Sequence, residues 1–153
     1  MTKFEQDIKT GKIGEKLARE ILEKSSNTVS VIDCSDDKFF QALDIDYLVE
    51  TKSGRVIKYE VKTDTQAHRT GNMVWEATTS GHIGCFEKTS ANYILYYLSG
   101  NGKLYGFWVK PMRRYVHRYN LRKVRMGDSA TGYLMNIEDL VKKHLIKEID
   151  YGK

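Results

Sequence analysis

Apolar residues open the chain at helical spacing. Phe4, Ile8, Ile13, Leu17, Ile21 and Leu22 recur between Glu, Lys and Arg, which predicts an amphipathic helix over Phe4 to Lys24 that Gly11 to Gly14 could interrupt. The period then shortens. Thr28 to Ile32 is β-branched and reads as a short strand ending before the polar stretch Asp33 to Lys38. Leu43 to Glu50 and Arg55 to Lys62 read as two strands of a hairpin joined through Thr51-Lys-Ser-Gly54. With a three-residue loop and a left-handed Gly54, Thr51 faces Arg55, and positions whose numbers sum to 106 lie opposite each other. That register pairs Asp46 with Glu60 and Asp44 with Lys62 on one face, and turns Ile45, Tyr47 and Val61 to the other.

Thr63 to Asn72 has the composition of a mobile loop, and Met73 to Ala77 reads as a third strand before a Gly-rich turn at Gly81 to Gly84. A helical turn over Glu87 to Ala91 precedes a second hairpin, Tyr93 to Leu98 and Lys103 to Val109, around Gly100-Asn-Gly102. Pro111 can start a short helix through His117, and Asn136-Ile-Glu-Asp-Leu opens another with a capped first turn. The order predicts an α/β or α+β fold around one central mixed sheet flanked by helices.

Composition narrows the classes. At 153 residues, 41% of them hydrophobic and one of them proline, the chain suits a single domain over 1–153. No apolar run approaches the roughly 18 residues of a membrane span, and the first residues lack the apolar stretch of a signal peptide. Cys34 and Cys85 have neither zinc-site nor CxxC spacing, which suits free buried thiols in a cytoplasmic protein without membrane partners. No phosphate-binding glycine loop is present, so no nucleotide cofactor is expected, and no Ser or Cys nucleophile motif appears.

The charge is uneven. Lys and Arg exceed Asp and Glu by 25 to 20, yet Lys110 to Arg125 holds Lys110, Arg113, Arg114, Arg118, Arg122, Lys123 and Arg125 without one acid, interleaved with Tyr115 and Tyr119. Such a mixture suits phosphate neutralisation and stacking on bases; its plainer explanation is a solvated helix face. In the loop after Lys62, Gln66, His68 and Arg69 are candidates to approach DNA, although a lone histidine in a polar loop more often has no such role.

The hairpin carries the chemistry. Hydrolysing a phosphodiester requires screening its negative oxygens and activating water, which a divalent cation supplies. Magnesium asks only two or three carboxylates on rigid elements and keeps its waters, and Asp46 with Glu60 would provide them. Lys62, two residues on and on the same face, could touch the attacking water or the phosphate. Cross-strand ion pairs on a wet face would look similar, but these charges are flanked by Leu43, Ile45, Leu48, Val56, Ile57 and Val61 as in central strands.

Gly11-Lys-Ile-Gly-Glu-Lys-Leu-Ala18, Asp44-Ile-Asp46 and Tyr59-Glu-Val-Lys-Thr-Asp64, in that order, resemble the PD-(D/E)XK nuclease superfamily, in the branch of archaeal Holliday-junction resolvases and small phage and bacterial nucleases. The likeness covers about the first half of the chain and extends more weakly through Gly71-Asn72 and Glu76. It implies an αβββαβ core and a magnesium-dependent endonuclease, with manganese as substitute, acting without a covalent intermediate. By residue, Asp46 matches the aspartate before the hairpin, Glu60 and Lys62 the (D/E)XK pair, and Glu15 a glutamate from the first helix, although beside Lys12, Lys16, Arg19 and Glu20 it could equally be one more charge on the helix's wet face.

Ala42-Leu43 stands where the family has proline, and the Asp-Ile-Asp repeat leaves Asp44 and Asp46 as rival ligands. The hairpin register favours Asp46, and a bulge would reverse the choice. Asn72 would contact nucleic acid, and Glu76 is either a further ligand or a solvent-facing charge. A chain of this size leaves no room for a separate sequence-reading domain, so recognition would be of DNA shape, such as branches, flaps or ends, or would come from a partner, and cutting both strands would suit a homodimer. The alternative is a non-catalytic nucleic-acid-binding or assembly module on the same fold.

Overall fold

The computed structural model of the protein describes residues 1–152. Its elements begin with α1 (Lys3–Lys24), β1 (Thr28–Asp33), α2 (Lys38–Ala42), β2 (Tyr47–Thr51) and β3 (Val56–Asp64). Then come α3 (Ala67–Thr70), β4 (Asn72–Thr79), β5 (His82–Ile83), α4 (Cys85–Lys88), β6 (Tyr93–Leu98) and β7 (Lys103–Trp108). The last third holds α5 (Val109–Arg118), β8 (Lys123–Met126), β9 (Ala130–Asn136), α6 (Ile137–Lys142) and β10 (Lys147–Glu148).

The expected α/β class holds: a central mixed sheet, in the order β1-β2-β3-β6-β7-β10, is flanked by helices. Only β3 and β6 run parallel; the other neighbours are antiparallel. The first hairpin keeps the expected register, Tyr47 opposite Tyr59 and Val49 opposite Ile57. Thr51 N–H donates to Arg55 O at 2.9 Å, and Gly54 takes φ 83°, which only glycine adopts cheaply.

Parity then sorts the residues of β3. Glu60, Lys62 and Asp64 lie beside Ile94, Tyr96 and Leu98 of β6, whose face carries the larger core with Met73, Trp75, Phe86 and Met112. Tyr59 and Val61 point the other way, to the core that Ala18 and Leu22 of α1 share with Tyr47 and Val49.

Helix α1 is continuous through Gly11 to Gly14, where the sequence left an interruption open. It starts on a reciprocal cap, Thr2 Oγ1 accepting from Glu5 N–H at 3.2 Å and Glu5 Oε2 from Thr2 N–H at 2.7 Å. Gly14 is required by contact rather than by a kink: a Cβ there would lie 2.4 Å from Thr63 Oγ1 on β3. The first turns leave the body of the protein, with Phe4 73% and Ile8 49% exposed.

Three further expectations change. Met73 to Ala77 does form a strand, but β4 joins a second, four-stranded sheet, β5-β4-β9-β8, instead of the central one. Its inner residues Met73 and Trp75 cover the larger core. Leu43 and Asp44 form a turn after α2, so β2 begins only at Tyr47, and Asp44 takes φ 55°. Thr63 to Asn72 is structured: β3 runs to Asp64, whose Oδ1 accepts from Gln66 and Ala67 N–H at 2.7 and 2.8 Å and starts α3.

Candidate active site

Glu60 sits on the third of six strands and is only 3% exposed. Its Oε1 accepts from Lys62 Nζ at 2.8 Å, while its Oε2 is buried without a hydrogen-bond partner. Burial pushes the Glu60 carboxyl up, against the pull of the Lys62 charge and hydrogen bond. For Lys62 burial acts the other way, but the Glu60 charge prevails and holds the ammonium above its ordinary range. Its side chain as a whole is part-exposed, while its ammonium is held on the buried Glu60 carboxylate.

Asp46 lies just before β2, where the ladder opens. Its N–H donates to Tyr59 O at 2.8 Å, and its Oδ2 accepts from Val61 N–H at 2.7 Å, replacing a missing strand bond. Burial raises its pKa to about 6; Glu15 and Glu60 add to the rise, and the Val61 N–H and Lys62 oppose it. Glu15 reaches this neighbourhood because α1 is clamped: Tyr47 OH donates to its carbonyl at 2.9 Å, and Lys12 Nζ lies 3.6 Å from its carboxylate.

Asp44 does not face Lys62 across the ladder, because the turn at Leu43 and Asp44 ends the strand too early. It pairs with Lys88 at 3.4 Å, and its Oδ2 is a second buried oxygen without a partner. Its charge still acts on both Glu60 and Lys62. Glu15, Asp44, Asp46, Glu60 and Lys62 are thus electrostatic neighbours, gathered from one helix, the turn and link that precede β2, and one strand.

Residues of the α4 region complete the surroundings, and nothing in their spacing pointed there. Cys85, a free and buried thiol, is pushed up to about 11 by burial first, with Glu60, Glu76 and Asp44 adding and Lys62 opposing. Cys34 is also free and buried. Thr89 Oγ1 donates to Asp44 O at 3.3 Å and Ser90 N–H to Leu43 O at 2.9 Å. Arg113, expected on nucleic acid, is half-buried. Its Nε donates to Phe86 O at 2.7 Å and its Nη2 to Thr89 O at 2.9 Å, so it fastens α5 to this segment.

The other basic residues remain open. Arg114 and Arg118 on α5, Arg122 after it, and Lys123 and Arg125 on β8 are exposed, and none makes an ion pair among the described residues. Arg118 lies over the Tyr119 ring and Lys123 over Tyr133. Arg69 is exposed on α3 and bonded to the Gln66 side chain; Asn72 opens β4 opposite Asn136. Glu76 lies on β4 in the second sheet, not beside the hairpin. His117 is paired with Glu87 at 3.1 Å.

No family model matches the chain, and no curated protein matches it in sequence. Among solved structures, it is similar to a bacterial homing endonuclease, I-Ssp6803I, with a TM-score of 0.50 and 18% identity, over 69% of this chain and 71% of that one. The fold is nuclease-like. At that identity the likeness concerns the path of the backbone and carries no residue across. Among the described residues, no helix is long and apolar enough to cross a membrane.

The donor set has the chemistry of a hard-cation site. Two carboxylate oxygens, Glu60 Oε2 and Asp44 Oδ2, are buried without partners, a costly state that an added cation would relieve. No three His, Cys, Asp or Glu side chains converge to ligand distances among the described residues. A cation here would therefore be held by few carboxylates and fill its shell with water and substrate oxygens, as magnesium does.

Proposed function

We propose that this protein is a magnesium-dependent DNA endonuclease of the PD-(D/E)XK type, with manganese able to substitute. The observation that carries the reading is Glu60: a carboxylate nearly inaccessible on a central strand, one oxygen on Lys62 and the other unpartnered, with Asp46 and Asp44 close by. Burying like charges together is expensive, and a purely structural site would gain by replacing them.

In this reading Asp46 and Glu60 hold the cation, and Asp44 is the further acid available to it. The bound ion would lower the pKa of water and offset the phosphate's charge. Lys62, once Glu60 turns to the cation, is a donor within reach of the attacking water or the scissile phosphate. Val61 N–H fixes the orientation of the Asp46 carboxylate. Glu15 adds negative potential that strengthens the hold of Asp46 on a cation.

The exposed cations Arg114, Arg118, Arg122, Lys123 and Arg125 supply the affinity for the DNA backbone, with Arg69 on α3 and Asn72 at the head of β4 as further contacts. The substrate is selected by shape, as a branch, flap or end; one such site cuts one strand, so two-strand cleavage calls for a homodimer.

The test is cleavage of branched, flapped and linear DNA with Mg²⁺, with Mn²⁺ and with chelator. Metal-dependent cutting that Glu60→Ala and Lys62→Ala each reduce by at least about 100-fold is expected. Tight binding with no cutting of any substrate in either metal would refute the enzyme and favour a binding module.

A further inference from the structure

A cleft lies between the start of β3, the segment after α4 and the start of α5. Arg55, Lys110 and Arg114 line it, with Arg113, and no acid does. Those first three are exposed and make no ion pair among the described residues. Trp108 stands on the wall, 46% exposed, an unusual place for so large an apolar ring. One contact orients it: it meets Tyr93 edge to face, 4.9 Å between centroids.

The floor is rigid. Asn92 N–H donates to Lys58 O and its Oδ1 accepts from Lys58 N–H, both at 2.8 Å, while its carbonyl accepts from Val109 N–H at 2.9 Å. One residue thereby ties β3 to the entry of α5. The cleft reaches toward the carboxylate-bearing segment at Thr89, which lines it and donates to Asp44 O, while Ile57 and Trp108 lie on the sheet face opposite Glu60.

Unpaired cations without acids call for a polyanion, and an open indole calls for a flat π-surface. Duplex DNA offers the first but keeps its base faces stacked inside. We propose that this cleft binds a single-stranded stretch of polynucleotide, with Arg55, Lys110 and Arg114 on its phosphates and a base against Trp108. The proposal rests on the reading of the protein as acting on DNA, and it specifies the substrate as one that carries an unpaired strand.

The experiment is fluorescence anisotropy of labelled oligothymidylate and of a duplex of equal length with the full chain, in chelator so that no cutting intrudes. Trp108→Ala is expected to weaken single-strand binding about ten-fold or more and to leave duplex binding unchanged, with Trp108→Phe retaining most of the affinity. Lys110→Ala and Arg114→Ala should each flatten the slope of log affinity against log salt by about 0.7. Because Trp75 is buried, accessible tryptophan emission reports Trp108, and oligothymidylate should quench it in the wild-type chain even if Trp108→Ala fails to fold.

Absence of quenching, wild-type single-strand affinity in Trp108→Ala, or equal competition by polyglutamate would overturn the proposal. Metal-dependent cutting that ignores Trp108 on every substrate would sink the cleft and spare the nuclease. Trp108-dependent binding in a protein that never cuts would do the reverse.

Discussion

At the scale of single residues, Asp46 shows how the site is poised. Its carboxyl is raised from 3.8 to about 6, so the folded protein keeps a proton that the unfolded chain releases earlier. The stabilisation from that proton is fully present below pH 3.8 and is lost as pH rises through 6; at pH 8 the ionised carboxylate costs up to about 3 kcal/mol. Asp46→Asn keeps an oxygen for Val61 N–H and removes the charge. In chelator, its denaturant melt should match the wild type at pH 3.5 and exceed it at pH 8; a variant less stable at pH 8 would refute the argument. The same carboxyl should make cation binding fail below about pH 6, as titration of metal affinity would show. Much of this was legible in the sequence. The pattern of alternation and Gly54 set the register that places Glu60 and Lys62 on one face. Asp44 was not legible, because nothing in its spacing shows that α2 and its turn shorten β2. Nor was Arg113, whose positive charge looked like a DNA contact until Phe86 O and Thr89 O were seen to occupy it.

At the scale of elements, two contacts hold the site's parts in place. Helix α1 approaches β3 only because position 14 has no side chain. Gly14→Ala should cost about 1–3 kcal/mol and draw Glu15 away from Asp46, and Thr63→Ala in the same chain should restore part of the loss in thermal unfolding. Helix α5 is held by Arg113. Arg113→Ala strands two carbonyls and should destabilise by about 1–3 kcal/mol while lowering the cleavage rate at saturating DNA. Arg114→Ala should instead weaken binding and leave that rate unchanged. A kcat effect for the first and a KM effect for the second is the expected split; a pure affinity effect of Arg113→Ala would return it to the DNA contacts. Element identity was read well where periodicity was strong, as in α1, the two central hairpins and the start of α5. It failed for β9, where Gly132 packs against Val74 and Met126 and the alternation is blurred, and so β4 was assigned to the wrong sheet.

At the scale of the whole molecule, the central sheet could be anticipated but its cover could not. Whether a strand extends one sheet or starts another is decided by partners far along the chain, and β4 pairs with β9 from Asn72 to Thr79. This long pairing has a consequence for synthesis. A nascent chain that has emerged as far as Trp108 already contains Glu15, Asp44, Asp46, Glu60 and Lys62, yet lacks both the guanidinium that fastens the α4 segment and the strand that completes the second sheet. A fragment 1–108 should therefore resist neither protease nor denaturant as the full chain does, and should cut nothing. On the proposed reading, the ribosome itself would then set the moment at which the blade is finished.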